Sequence, residues 1–180
     1  LEVELFYIAA ERNAALMRWV RITNRSSQAV TLCDPASSSV DLPAGSYDMV
    51  SLSGAWARER HVQRSPLSFG RHSVASRGGA SGHQSSPFIA LCEPAATEQY
   101  GTVYAAALGY SGNFHATCDV DQYECPRLSI GINRFRGYLE PGAHFETPIA
   151  LLLCSVDGFN GMSREFHSLI RSGIVPRRWR

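Results

Sequence analysis

Hydrophobic and polar positions alternate along this chain in short stretches separated by turn-forming residues. A period of two is typical of strands with one buried face. We predict strands over residues 1–9, 16–23, 29–33, 46–53, 87–93, 102–110, 113–120, 127–133 and 143–155. Asn24-Arg25-Ser26-Ser27 is predicted to turn the chain back between the second and third of these. Many short strands at this spacing favour an all-β fold, with antiparallel sheets packed as a sandwich, over a parallel sheet with crossover helices.

One segment near the C-terminus has helical periodicity instead. Its apolar residues recur at the spacing of one helix face: Met162, Phe166, Leu169 and Ile170. Asn160 suits the N-cap, Gly173 suits the end of the helix, and Pro176 prevents its continuation. We therefore divide the chain into a β-sandwich over residues 1–158 and a connector helix with a short stub over residues 159–180.

The stretch from residue 70 to residue 87 shows no apolar periodicity and is rich in Gly and Ser. Loops longer than about 12–15 residues are usually functional or disordered. This stretch also carries Arg71, His72, Arg77 and His83, so we predict a long loop that presents polar side chains.

The composition indicates one folded domain, since 44% of the 180 residues are hydrophobic. The longest apolar run, Ile149–Cys154, is far shorter than the ~20 residues that a membrane-spanning helix needs. All 17 basic residues are Arg, yet the formal net charge is only +1. A nucleic-acid partner requires a strongly basic face, so neither nucleic acid nor membrane is expected as a partner.

Five cysteines show no metal-binding spacing, and no metal or other cofactor is predicted. Cys33, Cys92 and Cys154 lie in apolar runs and are predicted to be buried. Cys118 and Cys125 could face each other across a hairpin, and a disulfide between them is left open. The odd number of cysteines, without a secretory signal, favours the cytoplasm. We interpret the glycosylation triplet Asn24-Arg25-Ser26 as a coincidence.

No catalytic constellation emerges from the sequence. Asp119 and Asp121 are two residues apart on a predicted strand and should share a face, where we interpret them as solvated charges rather than as a glycosidase pair. Glu59 is flanked by Arg58 and Arg60, which favours an ion pair over a proton donor. The serines lack a nucleophile elbow, and the six histidines are scattered through the chain.

The best candidate for function is the segment from Gly54 to Arg60. It places Trp56 beside Arg58, Glu59 and Arg60, a combination that suits a platform for a sugar ring. Trp and Arg are also enriched at the centres of protein interfaces. A third interpretation is a buried Trp braced by an Arg–Glu pair. The residues alone leave these three alternatives open.

Residues 53–60 and 76–84 resemble the N-terminal domain of glycoside hydrolase family 36 α-galactosidases. Further matching stretches lie at residues 87–91, 110–114, 120–122, 131–133, 139–142, 147–148 and 160–163. Each match is short, but together they cover essentially the whole chain in order.

The resemblance implies a β-supersandwich, similar in shape to galactose mutarotase, that precedes a catalytic (β/α)₈ barrel. Such enzymes hydrolyse terminal α-galactosyl residues of melibiose and raffinose with retention, through two aspartates of the barrel. A barrel needs about 250 residues, so we expect this chain alone to be inactive. The match begins inside the sandwich, which implies that its N-terminal strands are lacking here.

Members of this family commonly form tetramers in which the sandwich helps to shape a neighbour's substrate pocket. The implied substrate-rim or interface residues are Trp56, Arg58, Glu59, Arg60, Arg77 and His83. Expected partners are the enzyme's own barrel, neighbouring subunits and α-galactosides at the active-site rim. One alternative is a stand-alone galactoside-binding sandwich, and another is a purely structural domain whose Arg-rich loops pack onto the barrel.

Overall fold

Fourteen strands and one α-helix form the part of the chain that the computed structural model describes, residues 1–10 and 14–174. The strands are β1 (Glu2–Ala9), β2 (Ala15–Thr23), β3 (Val30–Cys33), β4 (Ala36–Asp41), β5 (Asp48–Ala55), β6 (Arg58–Pro66), β7 (Gly70–Ala75), β8 (Ser85–Cys92), β9 (Val103–Leu108), β10 (Phe114–Val120), β11 (Pro126–Ile132), β12 (Arg136–Leu139), β13 (His144–Glu146) and β14 (Ala150–Ser155). Helix α1 (Gly158–Leu169) follows them, and a π-helical turn (Ile170–Ile174) follows the helix.

The strands form three antiparallel sheets. The largest has the order β1-β2-β14-β9-β8-β5-β6, with β13 also paired to β2. A four-stranded sheet has the order β4-β11-β10-β7, and β12 pairs with β3 in a small third sheet. The two larger sheets pack face to face, which confirms the predicted all-β sandwich.

The core has two layers because the largest sheet is covered on both faces. Between the sheets lie fully buried side chains of β8, β10 and β11, including Ile89, Phe114 and Ile130. On the other face α1 packs its apolar side chains against β8, β9 and β14; these side chains are Phe159, Met162, Phe166 and Leu169. Small residues such as Ala90 and Ala105 line this face and let the helix approach closely.

Helix α1 begins earlier than predicted, at Gly158 rather than after Asn160. Asp157 occupies the N-cap position without a side-chain capping bond. Gly173 lies within the π-helical turn and does not end the helix, while Pro176 lies outside the described residues. Among the described residues, no helix has the length and hydropathy needed to cross a bilayer.

The structure differs from the sequence predictions at one strand and at one strand pairing. Residues 143–155 form two strands, because Thr147-Pro148 interrupts them and the Oγ1 of Thr147 accepts a hydrogen bond from the Val20 N–H at 3.0 Å. The chain after β2 does not return along it, since β3 pairs with β12. Local alternation identified both segments as extended but carried no information about their pairing partners.

Four strands were not predicted: β4, β6, β7 and β12. All of them are rich in polar residues or glycine, and every residue of β6 is exposed because it is an edge strand. The long loop predicted over residues 70–87 is wrong in its extent, since β7 and β8 occupy both of its ends. Residues 76–84 remain between them.

The cysteine predictions were correct in part. Cys92 is buried as predicted, but Cys33 and Cys154 are exposed. Cys118 and Cys125 are both free thiols, so they form no disulfide. Cys118 lies on the buried face of β10 opposite Leu128, and Cys125 lies in the turn before β11.

Asn24, in the turn after β2, is fully buried. Its Nδ2 donates hydrogen bonds to the carbonyl oxygens of Gln28 and Leu139, each at 2.8 Å. Its Oδ1 accepts from the Ser26 N–H at 3.0 Å and from the Ser26 hydroxyl at 2.7 Å. The amide therefore ties this turn to the end of β12.

Arg64, on β6, joins three elements. Its Nε donates to Oδ2 of Asp48 on β5 at 2.7 Å. Its Nη atoms donate to main-chain carbonyls of the loop after β8: Glu93 at 3.2 Å, Pro94 at 2.8 Å and Ala96 at 2.7 Å. The guanidinium also lies over the ring of Phe159 in α1, 5.8 Å from its centre.

Candidate functional site

The tip of the β5–β6 hairpin is a two-residue turn made by Trp56 and Ala57. Trp56 is 83% exposed, which excludes the buried Trp considered among the sequence alternatives. Ala57 and Arg60 have positive φ angles of 61° and 58°, uncommon for residues with a side chain. Gly54 is required here, since a Cβ at this position would collide with the carbonyl oxygen of Arg58.

The loop of residues 76–84 is held in a defined conformation by the turn between β9 and β10. The Gly79 N–H donates to Oδ1 of Asn113 at 2.7 Å, and the Ser81 N–H donates to the Ser111 carbonyl at 2.7 Å. The Gly54 N–H donates to the Gln84 carbonyl at 3.3 Å, which joins the hairpin to the loop. Hairpin and loop therefore lie together at one end of the sandwich.

A concave pocket of about 630 Å³ opens between the hairpin and the loop. Its lining residues are Glu59, Arg60, Ser81, Gly82, His83, Ser85, Ser86 and Pro87. The pocket thus offers a carboxylate, a guanidinium, an imidazole and several hydroxyl groups. These donors and acceptors suit a neutral polyhydroxylated ligand, whose hydroxyl groups both donate and accept hydrogen bonds.

Of the six predicted site residues, the structure gathers Glu59, Arg60 and His83 in this pocket. Trp56 and Arg58 lie on the hairpin outside the pocket lining, and both are exposed. Arg77 is exposed on the loop, where its carbonyl accepts a hydrogen bond from Nη1 of Arg134 at 3.4 Å.

The expected ion pair of Glu59 with Arg58 or Arg60 is absent from the ion pairs of residues 1–10 and 14–174. Consecutive residues of a strand point to opposite faces, which separates Glu59 from Arg58. The positive φ of Arg60 interrupts this alternation, so that Glu59 and Arg60 both line the pocket.

Asp119 and Asp121 do not share a strand face as predicted. Asp119 lies on β10 and receives two hydrogen bonds from Arg71, at 2.5 and 3.2 Å. Asp121 lies beyond the strand, where its Oδ1 accepts from the N–H groups of Tyr123 and Cys125 at 2.8 and 2.9 Å. One carboxylate is ion-paired and the other caps a turn, so they do not form a glycosidase pair.

A second ion pair continues across the same sheet, between Arg127 on β11 and Asp41 on β4 at 2.6 Å. The hydrogen bond from Arg127 holds the pKa of the Asp41 carboxyl below its ordinary 3.8. Within the described ranges, no three His, Cys, Asp or Glu side chains lie close enough together to hold a metal ion.

Sequence reasoning did not assign a role to Ser111 and Asn113, which position the loop. The signal in the sequence is the Gly-rich run Gly109-Tyr110-Ser111-Gly112-Asn113. A short Gly-rich turn followed by Asn can support a neighbouring loop through carbonyl and amide oxygens, as it does here.

Comparison with known proteins shows which family the chain resembles. Residues 1–139 match the model of the glycosyl hydrolase family 36 N-terminal domain. The chain is 43% identical over 177 residues to alpha-galactosidase AgaA of Geobacillus stearothermophilus, covering 97% of this chain and 24% of that protein. It is 38% identical over 169 residues to alpha-galactosidase 2 of Pediococcus pentosaceus, covering 93% and 24% respectively.

Solved structures agree with these sequence matches. The crystal structure of AgaA from Geobacillus stearothermophilus in complex with raffinose superposes with a TM-score of 0.92 at 43% identity, over 94% of this chain and 24% of that one. An α-galactosidase from Lactobacillus brevis gives a TM-score of 0.91 at 38% identity, over 94% and 23%. The chain spans about a quarter of the length of these relatives. It belongs to glycoside hydrolase family 36, as an N-terminal domain of the α-galactosidases of that family.

Proposed function

We propose that this chain is the non-catalytic accessory domain of a retaining α-galactosidase, which removes terminal α-galactosyl residues from oligosaccharides of the melibiose and raffinose type. The observation that carries the proposal is the pocket between hairpin and loop, where Glu59, Arg60 and His83 meet beside the exposed Trp56. The complex of the relative AgaA with raffinose supports this class of substrate.

The domain acts at the rim of an active site contributed by other parts of the enzyme. Trp56 is 83% exposed, so a partner that covers it would bury a large apolar surface. Truncation of a Trp at the centre of an interface commonly costs more than about 1 kcal/mol of binding free energy. The partners are the enzyme's own (β/α)₈ barrel and neighbouring subunits, and the exposed Arg58 and Arg77 lie beside the same end for contact with them.

Helix α1 has a double role in this proposal. Its apolar face packs on the largest sheet of the sandwich, so the helix stabilises the domain itself. The same helix leads away from the last strand, and we assign it as the connector toward the catalytic barrel. We therefore keep the proposed division of the chain into a sandwich over residues 1–158 and a connector over residues 159–180.

The decisive experiment replaces Trp56 by Ala in the complete enzyme that carries this chain. We expect the KM for raffinose to rise about tenfold, which corresponds to the loss of about 1.4 kcal/mol, or the assembly to dissociate. Raffinose hydrolysis and the mass of the assembly in solution are measured together.

The matched control is Tyr123→Ala. Tyr123 is 71% exposed in the turn between β10 and β11. The carbonyl of the neighbouring Glu124 accepts a hydrogen bond from the Gly45 N–H, before β5, at 3.1 Å. This turn therefore lies at the end of the sandwich opposite the tip of the β5–β6 hairpin. This variant should retain the kinetics and assembly of the parent enzyme. Unchanged kinetics and unchanged mass for Trp56→Ala would contradict the rim role.

The exposure of Trp56 beside a polar pocket also favours a second candidate, a module that binds galactosides by itself through Trp56, Arg58 and Glu59. Titration of the 180-residue protein with raffinose, followed by NMR at the indole N–H signals, separates the two. Saturable shifts at Trp56 without release of galactose would favour the binding module. Release of galactose would contradict the non-catalytic assignment.

A further inference from the structure

The loop of residues 76–84 contains three glycines and yet follows one defined path. Gly78 and Gly82 have no positive φ, and a Cβ at either position would meet nothing within 4 Å. Neither their backbone conformation nor their surroundings therefore require glycine. Because glycine loses more conformational freedom on ordering than any other residue, such a composition favours a mobile loop. Contacts from neighbouring elements must supply the order.

Main-chain hydrogen bonds hold the two ends of this loop. The Ser76 N–H donates to the Phe114 carbonyl, at the start of β10, at 2.9 Å. At the other end the Gln84 carbonyl accepts from the Gly54 N–H at 3.3 Å, and the chain then enters β8. Bonds of this kind do not depend on the side chains of the residues that make them.

The middle of the loop is held by a side chain from outside it. Gly79 lies in a bend with a φ of +93°, and its N–H donates to Oδ1 of Asn113 at 2.7 Å. Two other side chains reach carbonyl oxygens of the loop, but Nδ2 of Asn133 and Nη1 of Arg134 donate at 3.4 Å. Among the described residues, Asn113 therefore makes the shortest side-chain hydrogen bond to the loop from another element.

Asn113 is itself fixed by the core of the sandwich. Its side chain is half-buried, and its carbonyl accepts from the Asn133 N–H at 3.1 Å. The next residue, Phe114, is fully buried between the two larger sheets. The hydrogen bond to Gly79 thus joins the bend of the loop to a rigid part of the domain.

The loop supplies one wall of the pocket, and the β5–β6 hairpin supplies another. The loop residues in the lining are Ser81, Gly82 and His83, which follow closely after the bend that Asn113 holds. Asn113 is not part of this lining. When a binding site is correctly formed in only a fraction of the molecules, its apparent dissociation constant rises by the inverse of that fraction. Order in the loop therefore sets the affinity of the pocket without direct contact between Asn113 and a ligand.

We infer that Asn113 is a positioning residue for recognition of the oligosaccharide. It holds the loop of residues 76–84 in its binding conformation before the substrate arrives. Since Asn113 lies outside the pocket, it affects the affinity for substrate and leaves the chemical step unchanged. This inference rests on the proposed function, because it takes the pocket as part of the active-site rim.

Two substitutions in the complete enzyme test this role. Asn113→Leu removes the acceptor and keeps a branched side chain, whereas Asn113→Asp retains an oxygen that can accept from the Gly79 N–H. We expect Asn113→Leu to raise the KM for raffinose about fivefold at unchanged kcat, and Asn113→Asp to keep the KM of the parent. A fall in kcat at constant KM, or an equal rise in KM in both variants, would overturn the inference.

Hydrogen–deuterium exchange of the same enzymes measures the order of the loop independently of substrate. Peptides that cover residues 76–84 should exchange several-fold faster in Asn113→Leu than in the parent, and Asn113→Asp should match the parent. Peptides from the central strands β9 and β14 serve as the internal control and should exchange equally in all three enzymes. Unchanged exchange of the loop in Asn113→Leu would overturn the inference.

Trp56→Ala, assayed in the same series, separates this inference from the proposed function. If Asn113→Leu loosens the loop but neither variant changes KM or assembly, the rim role is refuted while the hold of Asn113 on the loop stands. If Trp56→Ala raises KM and Asn113→Leu loosens the loop without raising KM, the inference alone is refuted.

Discussion

Two thiols of this domain differ in their environment. Cys118 points into the core between the two larger sheets, and burial raises the pKa of its thiol to about 11. Cys33 lies on the exposed two-stranded sheet. The thiolate is the reactive form of cysteine, so the two side chains should differ strongly in reactivity.

We predict that iodoacetamide at pH 8 alkylates Cys33 and leaves Cys118 unmodified in the folded protein. At a pKa of about 11, only ~0.1% of the Cys118 thiol is ionised at that pH, and access is blocked as well. Peptide mass spectrometry over time measures both sites. In urea, Cys118 should react at a rate similar to Cys33, and equal rates in the native protein would contradict its burial.

At the candidate site, the sequence singled out the two segments that the structure brings together, but not the arrangement of every residue. Glu59, Arg60 and His83 meet because the hairpin and the loop are hydrogen-bonded through Gly54 and Gln84. The exposure of Trp56 could not be decided from its neighbours, since Trp is common both in cores and at interfaces. It follows from the two-residue turn, which places the side chain at the end of an edge hairpin.

At the scale of elements, the start of α1 depends on a glycine. Gly158 has a φ of +64°, and a Cβ there would collide with the Thr97 carbonyl oxygen and with Tyr100 N at 2.6 Å. The loop after β8 packs against the first turn of the helix, where the Phe159 N–H donates to the Thr97 carbonyl at 3.1 Å. No side chain fits between them.

We predict that Gly158→Ala lowers the free energy of unfolding by about 3 kcal/mol, from the left-handed backbone and the steric collision together. Gly173→Ala is the matched control, because Gly173 has open space at the Cβ position and no positive φ. Urea denaturation monitored by circular dichroism compares both variants with the parent. A loss of similar size in both would mean that the glycine at 158 has no special role.

Strands rich in apolar residues were predictable, and strands rich in polar residues or glycine were not. β9 reads Val-Tyr-Ala-Ala-Ala-Leu and β14 reads Ala-Leu-Leu-Leu-Cys-Ser, and both lie in the middle of the largest sheet. β6, at the edge, reads Arg-Glu-Arg-His-Val-Gln-Arg-Ser-Pro and has no apolar face to bury. It is extended because β5 holds it by backbone hydrogen bonds, a tertiary cause that local composition does not record.

At the scale of the whole molecule, Arg64 connects the edge hairpin, the loop after β8 and helix α1. We predict that Arg64→Met lowers the free energy of unfolding by about 2–3 kcal/mol, since one substitution removes hydrogen bonds from a charged donor to four acceptors. Arg64→Lys should recover only part of this, because an ammonium group lacks the planar arrangement of five donors. Thermal unfolding measures each variant.

Arg127→Met is the control for this prediction. Arg127 also pairs with an aspartate, but the side chains of Arg127 and Asp41 are 59% and 65% exposed. Exposed ion pairs contribute little to stability, so this variant should unfold close to the parent. If Arg64→Met and Arg127→Met lowered the free energy of unfolding equally, Arg64 would stabilise the domain no more than an exposed ion pair does.

The layered architecture followed from the number and spacing of strands, whereas the order of strands did not. β2 pairs with β1, which directly precedes it, and also with β13 and β14, which lie at the far end of the chain. Such pairings depend on which apolar faces meet in the assembled core. The prediction that the chain returns along β2 after residue 27 fails for this reason.

The buried amide of Asn24 has a consequence for production of this domain in eukaryotic cells. Oligosaccharyltransferase would recognise Asn24-Arg25-Ser26 only while the chain is still unfolded. In the folded domain both N–H bonds of the Asn24 amide donate to main-chain carbonyls, and the buried side chain leaves no room for a glycan. In a secretory host, sugar transfer and folding would therefore compete for the same nitrogen. Chains that escaped glycosylation would reach the native sandwich, while glycosylated chains would be retained by the quality control of the endoplasmic reticulum.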